Sequence, residues 1–301
     1  LKTSPRPKTA APVTTTLPLK LEPGTRIALI GNLLLDAERR FGHLETLLHQ
    51  HHSNHKLTVR NLAWPADEVD LMPRPDNFGD LDQHLAYFKA DVIIAAYGFN
   101  ESFAGKEGLP AFKERLDTFL THLKSQAYNG KTAPRIVLLS PAANEDIAQV
   151  KAGTANNANL SLYTAALAEG AAKHKIGFVD VFEPTKINIV ASRRITRTID
   201  GHQHNAHGHL RFSNAAFKSL FQKDPTVINE DLRKLVVDKA SQFFYRYRPL
   251  NTFYYTGGRN KSYGYLDFLP AMRNFDFMVE NRDTAIHTTA STGKLVQPDD
   301  S

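Results

Sequence analysis

Short apolar runs recur along the first part of the chain at residues 26–30, 57–62, 91–97, 135–140 and 177–181. Runs of this length, closed by glycine, proline or a polar turn, predict strands buried on both faces. The segments between them carry a different period. Residues 36–49 place Phe41, Leu44, Leu47 and Leu48 on one side of a helix, and residues 109–124 repeat Phe112, Leu116, Phe119, Leu120 and Leu123 at helical spacing. Residues 159–174 are rich in leucine and alanine, and residues 212–221 read as the last helix of the unit. Strands alternating with helices predict an α/β fold with a central parallel sheet covered on both faces. Ligands of such sheets bind beyond the carboxyl ends of the strands.

The pattern changes at both ends. Residues 1–22 hold Pro5, Pro7, Pro12 and Pro18 among threonines and lysines, a composition that predicts an extended linker or a strap across a partner. Residues 23–222 form the α/β domain, and 223–301 a mainly helical and aromatic-rich extension. There Asn229 is the expected N-cap of a helix that must stop near Pro249. Residues 250–265 read as a loop or hairpin with exposed aromatics, 267–282 as a last helix, and the polar tail from Thr288 as mobile.

Composition narrows the function classes. No apolar run reaches the length of a membrane helix, so no transmembrane segment is expected. The net charge of +6 is dispersed, without the dense basic stripe of a nucleic-acid binder, and no nucleic-acid partner is expected. There is no cysteine, which removes disulfides and cysteine metal sites and fits an oxidising compartment. The chain begins at Leu1 with a segment like those that follow a cleaved leader, so export to the periplasm or cell surface is the expectation.

Four short blocks carry the candidate chemistry: Gly31-Asn32-Leu33-Leu34, the stretch from Asn61 to Asp67, Gly98-Phe99-Asn100-Glu101 and Asp200-Gly201-His202-Gln203. In this order they resemble the signature blocks of the SGNH (GDSL) hydrolases. The resemblance spans roughly residues 25–222 and implies that family's flavodoxin-like three-layer sandwich. It implies a serine nucleophile where this chain has Leu33, an oxyanion-hole glycine where it has Ala66, and a histidine base where it has Gln203. Asn100 matches the side-chain oxyanion donor and Asp200 the orienting acid.

Those departures decide the expected chemistry. Leucine has no nucleophilic atom, and a glutamine amide takes no proton near neutral pH. Losing one member of such a triad already costs orders of magnitude in rate. A slip of the loop could bring His202 or His204 beside Asp200 as a replacement base, and Asp36 could activate a water. His202, His204, His207 and His209 with Asp200 are candidate metal ligands, although alternating loop histidines are more often solvated or hydrogen-bonded. No metal and no cofactor is expected; a haem axial ligand stays open among the histidines, but covalent haem attachment lacks its motif. His49, His51, His52 and His55 read as a cationic helix end, Ser140-Pro141 as turn chemistry, and Trp64 as partly buried core or a stacking platform.

Residues 97–105, 128–131, 246–249 and 280–283 are similar to one branch of the superfamily, the exported SGNH-like proteins of planctomycetes and related bacteria. That resemblance implies export and a role beside other proteins, such as large haem-binding or dehydrogenase-like ones. Two readings follow. One is a degenerate SGNH fold serving as a binding or assembly subunit, with a protein partner or copies of itself. The other is an ester or acetyl hydrolase on carbohydrate or lipid, using altered residues.

Overall fold

The computed structural model describes residues 6–75, 78–191, 195–249 and 265–301. Its centre is a parallel sheet of five strands, β2 (Arg26–Gly31), β3 (Thr58–Asn61), β4 (Val92–Ala96), β6 (Arg135–Leu139) and β7 (Gly177–Val179), in the spatial order β3-β2-β4-β6-β7. A separate antiparallel ribbon pairs β1 (Lys8–Thr9) with β5 (Gln126–Ala127). In the central sheet Ile27 lies opposite Val59 and Val92, and Leu29 opposite Ile94, which pairs in turn with Val137.

Side chains alternate across this register. Ile27, Leu29, Ile94 and Val137 pack against α3 (His43–His51) and α8 (Ala206–Phe221) through Leu44, Leu47, Phe212 and Phe217. Ala28, Ile30, Ile93 and Ile136 face α4 (Leu81–Phe88), α5 (Gly105–Lys124) and α6 (Gly153–His174) through Leu85, Phe112, Leu116 and Leu167. Helices cover both faces, which is why the strands read as unbroken apolar runs. The α/β sandwich with a central parallel sheet is the expected one.

The strand order positions the site. β2 sits between β3 and β4, so the chain reverses direction across the sheet at the β2–β4 boundary, where a crevice opens at the carboxyl ends. The two ends touch: Asn32 N–H donates to the Ala96 carbonyl at 3.1 Å. A Cβ on Gly31 would lie 2.0 Å from that carbonyl oxygen, and Gly31 has φ +114°, so only glycine fits.

Several local expectations change. Residues 33–51 form three pieces rather than one helix: α1 (Leu33–Asp36), α2 (Glu38–Phe41) and α3. Gly42 ends the second piece in the left-handed region, and a Cβ there would press on Val237 at 2.9 Å. The break therefore admits close approach of α9 (Glu230–Tyr247). Two helices lay unrecognised in the pattern, α4 and α7 (Phe182–Ala191). The first was legible, because Asp80 and Gln83 form a capping box.

The N-terminal strap crosses its own domain. Leu19 and Leu21 are buried in the core, Thr15 Oγ1 accepts from Ile136 N–H at 3.0 Å, and Leu19 N–H donates to Leu220 at 2.8 Å. At the other end α9 and α10 (Tyr265–Thr292) pack on each other and on α3, and α9 also packs on the edge strand β3. Buried ion pairs fasten them: Lys239 Nζ lies 2.7 Å from Glu45, and Arg60 holds Asp283 at 2.5 and 3.2 Å. Asn229 caps α9, accepting from Asp231 and Leu232 N–H. The tail from Thr288 differs from its expectation: the helix continues to Thr292, and beyond it Val296 N–H bonds Thr289 and Asp300 bonds Arg282. The loop expected at 250–265 lies, up to residue 264, outside the described residues.

Candidate active-site crevice

Asn32 caps α1 at the end of β2, which sets Leu33 at the start of that helix. The loop before α8 returns over the same sheet edge. Asn32, Leu33, Phe99, His202, Gln203 and His204 thereby line one crevice. The fold thus brings together the positions that match nucleophile and base, occupied by Leu33 and Gln203. The free space among them is about 10 Å³, roughly what a single water needs. Asn32 Nδ2 is buried there with no hydrogen-bond partner among the described residues.

Asn100 and Ala66 lie outside this lining. Asn100 Nδ2 donates to the carbonyls of Asp67 at 3.2 Å and Pro65 at 3.5 Å, and Ala66 sits in an exposed turn. Both therefore belong to the neighbouring loop, which is held by its own network. Arg74 grips Asp67 with two bonds of 2.6 and 2.7 Å. The guanidinium groups of Arg74 and Arg248 lie 4.5 and 4.3 Å from the Trp64 ring centroid. Arg248 also bonds Asp36 at 2.7 Å. Trp64 and Asp36 are thus engaged in packing and pairing, and Asp36 has a cation where a water would be activated.

Asp200 caps its own turn. Its Oδ1 accepts from the backbone N–H of His202 at 2.9 Å and of Gln203 at 2.6 Å. Partial burial raises its pKa, but these two donors outweigh that and hold it below the usual carboxylate range. His202 stacks on Phe99, with ring centroids 3.4 Å apart and planes 6° from parallel. Burial pushes His202 down to about 4, against the pull of Asp200, and burial with His202 nearby pushes His204 to about 4. Both imidazoles are neutral at pH 7 and too weakly basic to take a proton efficiently there.

Sequence reasoning missed the groups that hold this loop. Glu145 Oε2 accepts from Arg197 N–H, Thr198 N–H and Thr198 Oγ1 at 2.8 to 2.9 Å, and Glu145 N–H donates to Gly201 at 2.7 Å. Its signal was only a carboxylate shortly after the β6 turn. Beneath the crevice, His209 is fully buried with Nε2 3.6 Å from Glu38 and Nδ1 3.4 Å from Ser213. Burial raises Glu38 to about 8 and drives His209 well below its ordinary value. Glu101 accepts from Val69 and Gly98 N–H, tying the third block to the segment just after the second, and burial raises it to about 7.

Ser140 Oγ accepts from Val181 and Phe182 N–H at 2.9 Å, so it ties the end of β6 to the loop after β7 rather than serving a local turn. The cationic helix end is corrected at His52, which burial holds at about 4 and therefore uncharged at neutral pH. Among the described residues no three histidine, aspartate or glutamate side chains converge as a metal site. No described helix is long and apolar enough to cross a membrane.

No protein-family model and no curated protein matches the chain. Solved structures do. A GDSL-like lipase from Parabacteroides merdae superposes with a TM-score of 0.55 at 15% identity, over 67% of this chain and 97% of that one. A catalytic variant of Axe2, an acetylxylan esterase from Geobacillus stearothermophilus, gives 0.52 at 14% identity over 67% and 96%. BT4096, a gut microbial diltiazem-metabolizing enzyme, gives 0.52 at 18% identity over 71% of this chain, which spans about half of that protein, 48%. At these identities the likeness is one of fold: the chain has the α/β architecture of GDSL/SGNH-like hydrolases.

Proposed function

We propose that this chain is a noncatalytic binding or assembly subunit built on a hydrolase fold. The carrying observation is the crevice itself, where Leu33 stands at the nucleophile position and about 10 Å³ of space remains. The groups that could still act are engaged elsewhere: Asn100 with two carbonyls, Asp200 with its own turn. The two flanking imidazoles, half-buried His202 and buried His204, are neutral at pH 7. An acyl-transfer site needs a nucleophile, a base and oxyanion donors around a space that holds the acyl group. Among the described residues this lining offers no nucleophile at Leu33 and no base that takes a proton efficiently at pH 7, and its space is too small for an acyl group; one amide donor, Asn32 Nδ2, is left unengaged.

Lack of cysteine supports an oxidising, exported setting for the subunit. The resemblance to planctomycete-type SGNH-like proteins supports a protein partner. The reading is tested with 4-nitrophenyl acetate and acetylated xylo-oligosaccharides as substrates, followed by affinity purification from native extracts. The expected result is hydrolysis at the buffer rate and a stoichiometric co-purifying protein. Turnover abolished by Asn100→Ala or Asp200→Ala would establish the hydrolase reading instead.

A further inference from the structure

Residues 128–131, set apart by their sequence, contain the chain's single Asn-Gly pair, Asn129-Gly130. Such a pair has a chemistry of its own. Glycine has no Cβ to shield its backbone nitrogen, so that nitrogen can attack the side-chain amide of the asparagine before it. The reaction needs access for water, a freed glycine N–H and an amide turned towards it.

The fold supplies the first and withholds the other two. Gly130, Lys131 and Thr132 are exposed. The Gly130 N–H, however, donates to the Ala127 carbonyl at 2.9 Å. The Asn129 amide is held at both ends. Its Oδ1 accepts from the N–H groups of Lys131 at 2.8 Å and Thr132 at 2.9 Å, which is an Asx turn. Its Nδ2 donates to Asp91 Oδ1 at 2.8 Å and to Thr132 Oγ1 at 3.2 Å. Attack on Cγ therefore requires the turn to open against these bonds.

Asn129 in turn supports the start of the sheet. Asp91 Oδ2 accepts from Arg26 N–H at 2.9 Å, Asp91 N–H donates to the Arg26 carbonyl at 2.9 Å, and the Asp91 carbonyl accepts from Arg135 N–H at 3.0 Å. Arg26 opens β2, Val92 opens β4 and Arg135 opens β6, so Asp91 joins the starts of three strands. The Asn129 amide is the donor on its other carboxylate oxygen. An ionised aspartate at 129 has no side-chain donor and sets a second negative charge against Asp91. The charge of Arg26, which already acts with Asp91, would then be shared between two carboxylates.

We propose that Asn129 is a deamidation site that the native turn keeps closed, and that its conversion to a carboxylate loosens the strand starts joined at Asp91. In the opened turn the Gly130 nitrogen gives its proton to hydroxide and bonds to Asn129 Cγ. The Cγ–Nδ2 bond breaks, and the amide nitrogen takes a proton from water and leaves as ammonia. Water then opens the cyclic succinimide at either carbonyl, giving aspartate or isoaspartate. The net change is one water consumed and one ammonia released, without oxidant or reductant. The proposal goes beyond the noncatalytic reading and does not depend on it.

The test incubates the full chain at pH 8, native and unfolded in urea, and follows conversion at residue 129 by peptide mass spectrometry. A free peptide of residues 126–134, with and without urea, gives the rate of the open turn. The native chain should react at least about tenfold more slowly than the unfolded chain and the peptide. Thr132→Val, at an exposed position, removes one acceptor of the amide and should speed the native reaction by about two- to fivefold. Asn129→Asp should lower the ratio of folded to unfolded protein in urea titrations by at least about tenfold. It should also be less stable than Asn129→Ala, which loses the same donor without adding a charge. The rate comparison uses the parent chain and decides the first half of the proposal whether or not the aspartate variant folds. A native chain that reacts as fast as the peptide, an unfolded chain that does not react at 129, or Asn129→Asp as stable as the parent or as Asn129→Ala would overturn the proposal.

Discussion

Glu38 beneath the crevice makes stability depend on pH in a direction opposite to most carboxylates. It is 2% exposed. Its Oε1 accepts from Glu45 N–H at 2.9 Å, and its Oε2 lies 3.6 Å from His209 Nε2 with no other partner. Burial, with the nearby charge of Glu45 adding, raises its pKa from 4.5 to about 8, although the N–H groups of Glu45 and Leu44 and the charge of Lys239 pull it down. At pH 7 the folded protein therefore keeps Glu38 protonated beside a neutral His209. The protonated form contributes stability that is fully present below pH 4.5. It is lost as pH rises towards 8, because the unfolded chain releases the proton and the folded one does not. Each unit costs about 1.4 kcal/mol, so the whole window from 4.5 to about 8 amounts to roughly 5 kcal/mol. Glu38→Gln keeps an acceptor for Glu45 N–H and a donor towards His209 but cannot ionise. Buried His43 and His204 and half-buried His202, all held at about 4, lose stability in the other direction as pH falls below 6.5, but they do so equally in both proteins. Urea unfolding at pH 5, 6, 7 and 8, read by the fluorescence of the single tryptophan, Trp64, isolates the difference. The variant should gain about 1 kcal/mol on the parent per pH unit. A difference that stays constant from pH 5 to 8, or runs the other way, refutes the argument.

Three further outcomes are expected. Lys239→Met leaves buried Glu45 without its ammonium partner and should lower stability by about 3–5 kcal/mol, measured as a shift in the urea midpoint. In Gly31→Ala the new methyl group collides with the Ala96 carbonyl at a positive φ. A loss of at least about 4 kcal/mol is expected in thermal unfolding, and a variant that melts like the parent contradicts the packing at the β2–β4 boundary. Glu145→Ala removes the acceptor of three hydrogen bonds from Arg197 and Thr198, so the Thr198 amide should exchange with deuterium at least about tenfold faster; unchanged protection would show that the loop is held by other contacts.

The fold was legible because burial on both faces leaves a strong trace: continuous apolar strands between helices of clear period. What the trace did not carry was close packing between distant segments. Gly42 lies inside the stretch expected as one helix, and its role appears only against Val237 on α9. The strap of residues 10–21 looked unable to bury itself because its apolar residues are sparse. Leu19 and Leu21 nevertheless find a core built by α8 and the sheet, far away in sequence. Buried ion pairs such as Arg60 with Asp283, 223 residues apart, leave no local pattern at all.

The site shows the same division between residue identity and three-dimensional engagement. Strand-end blocks told which residues would meet, and Leu33 and Gln203 do meet in one crevice. They did not tell how the surviving polar groups are used. Asn100 and Asp200 matched working positions by sequence, yet each has hydrogen-bond partners that hold its own loop together. In a serine hydrolase such groups must satisfy two demands, stabilising the loop and presenting an atom to the substrate. On the noncatalytic reading proposed above, Leu33 at the position that resembles the nucleophile's lifts the second demand, and only the first constrains the residue. A block that matches a motif in sequence is then evidence for the loop's geometry before it is evidence for catalysis. The stacked Phe99–His202 pair lines both the closed crevice and a neighbouring groove and separates them. That wall leaves the side chains of Phe103 and Asp200 on the groove's side, outside the lining of the crevice that holds Leu33 and Gln203.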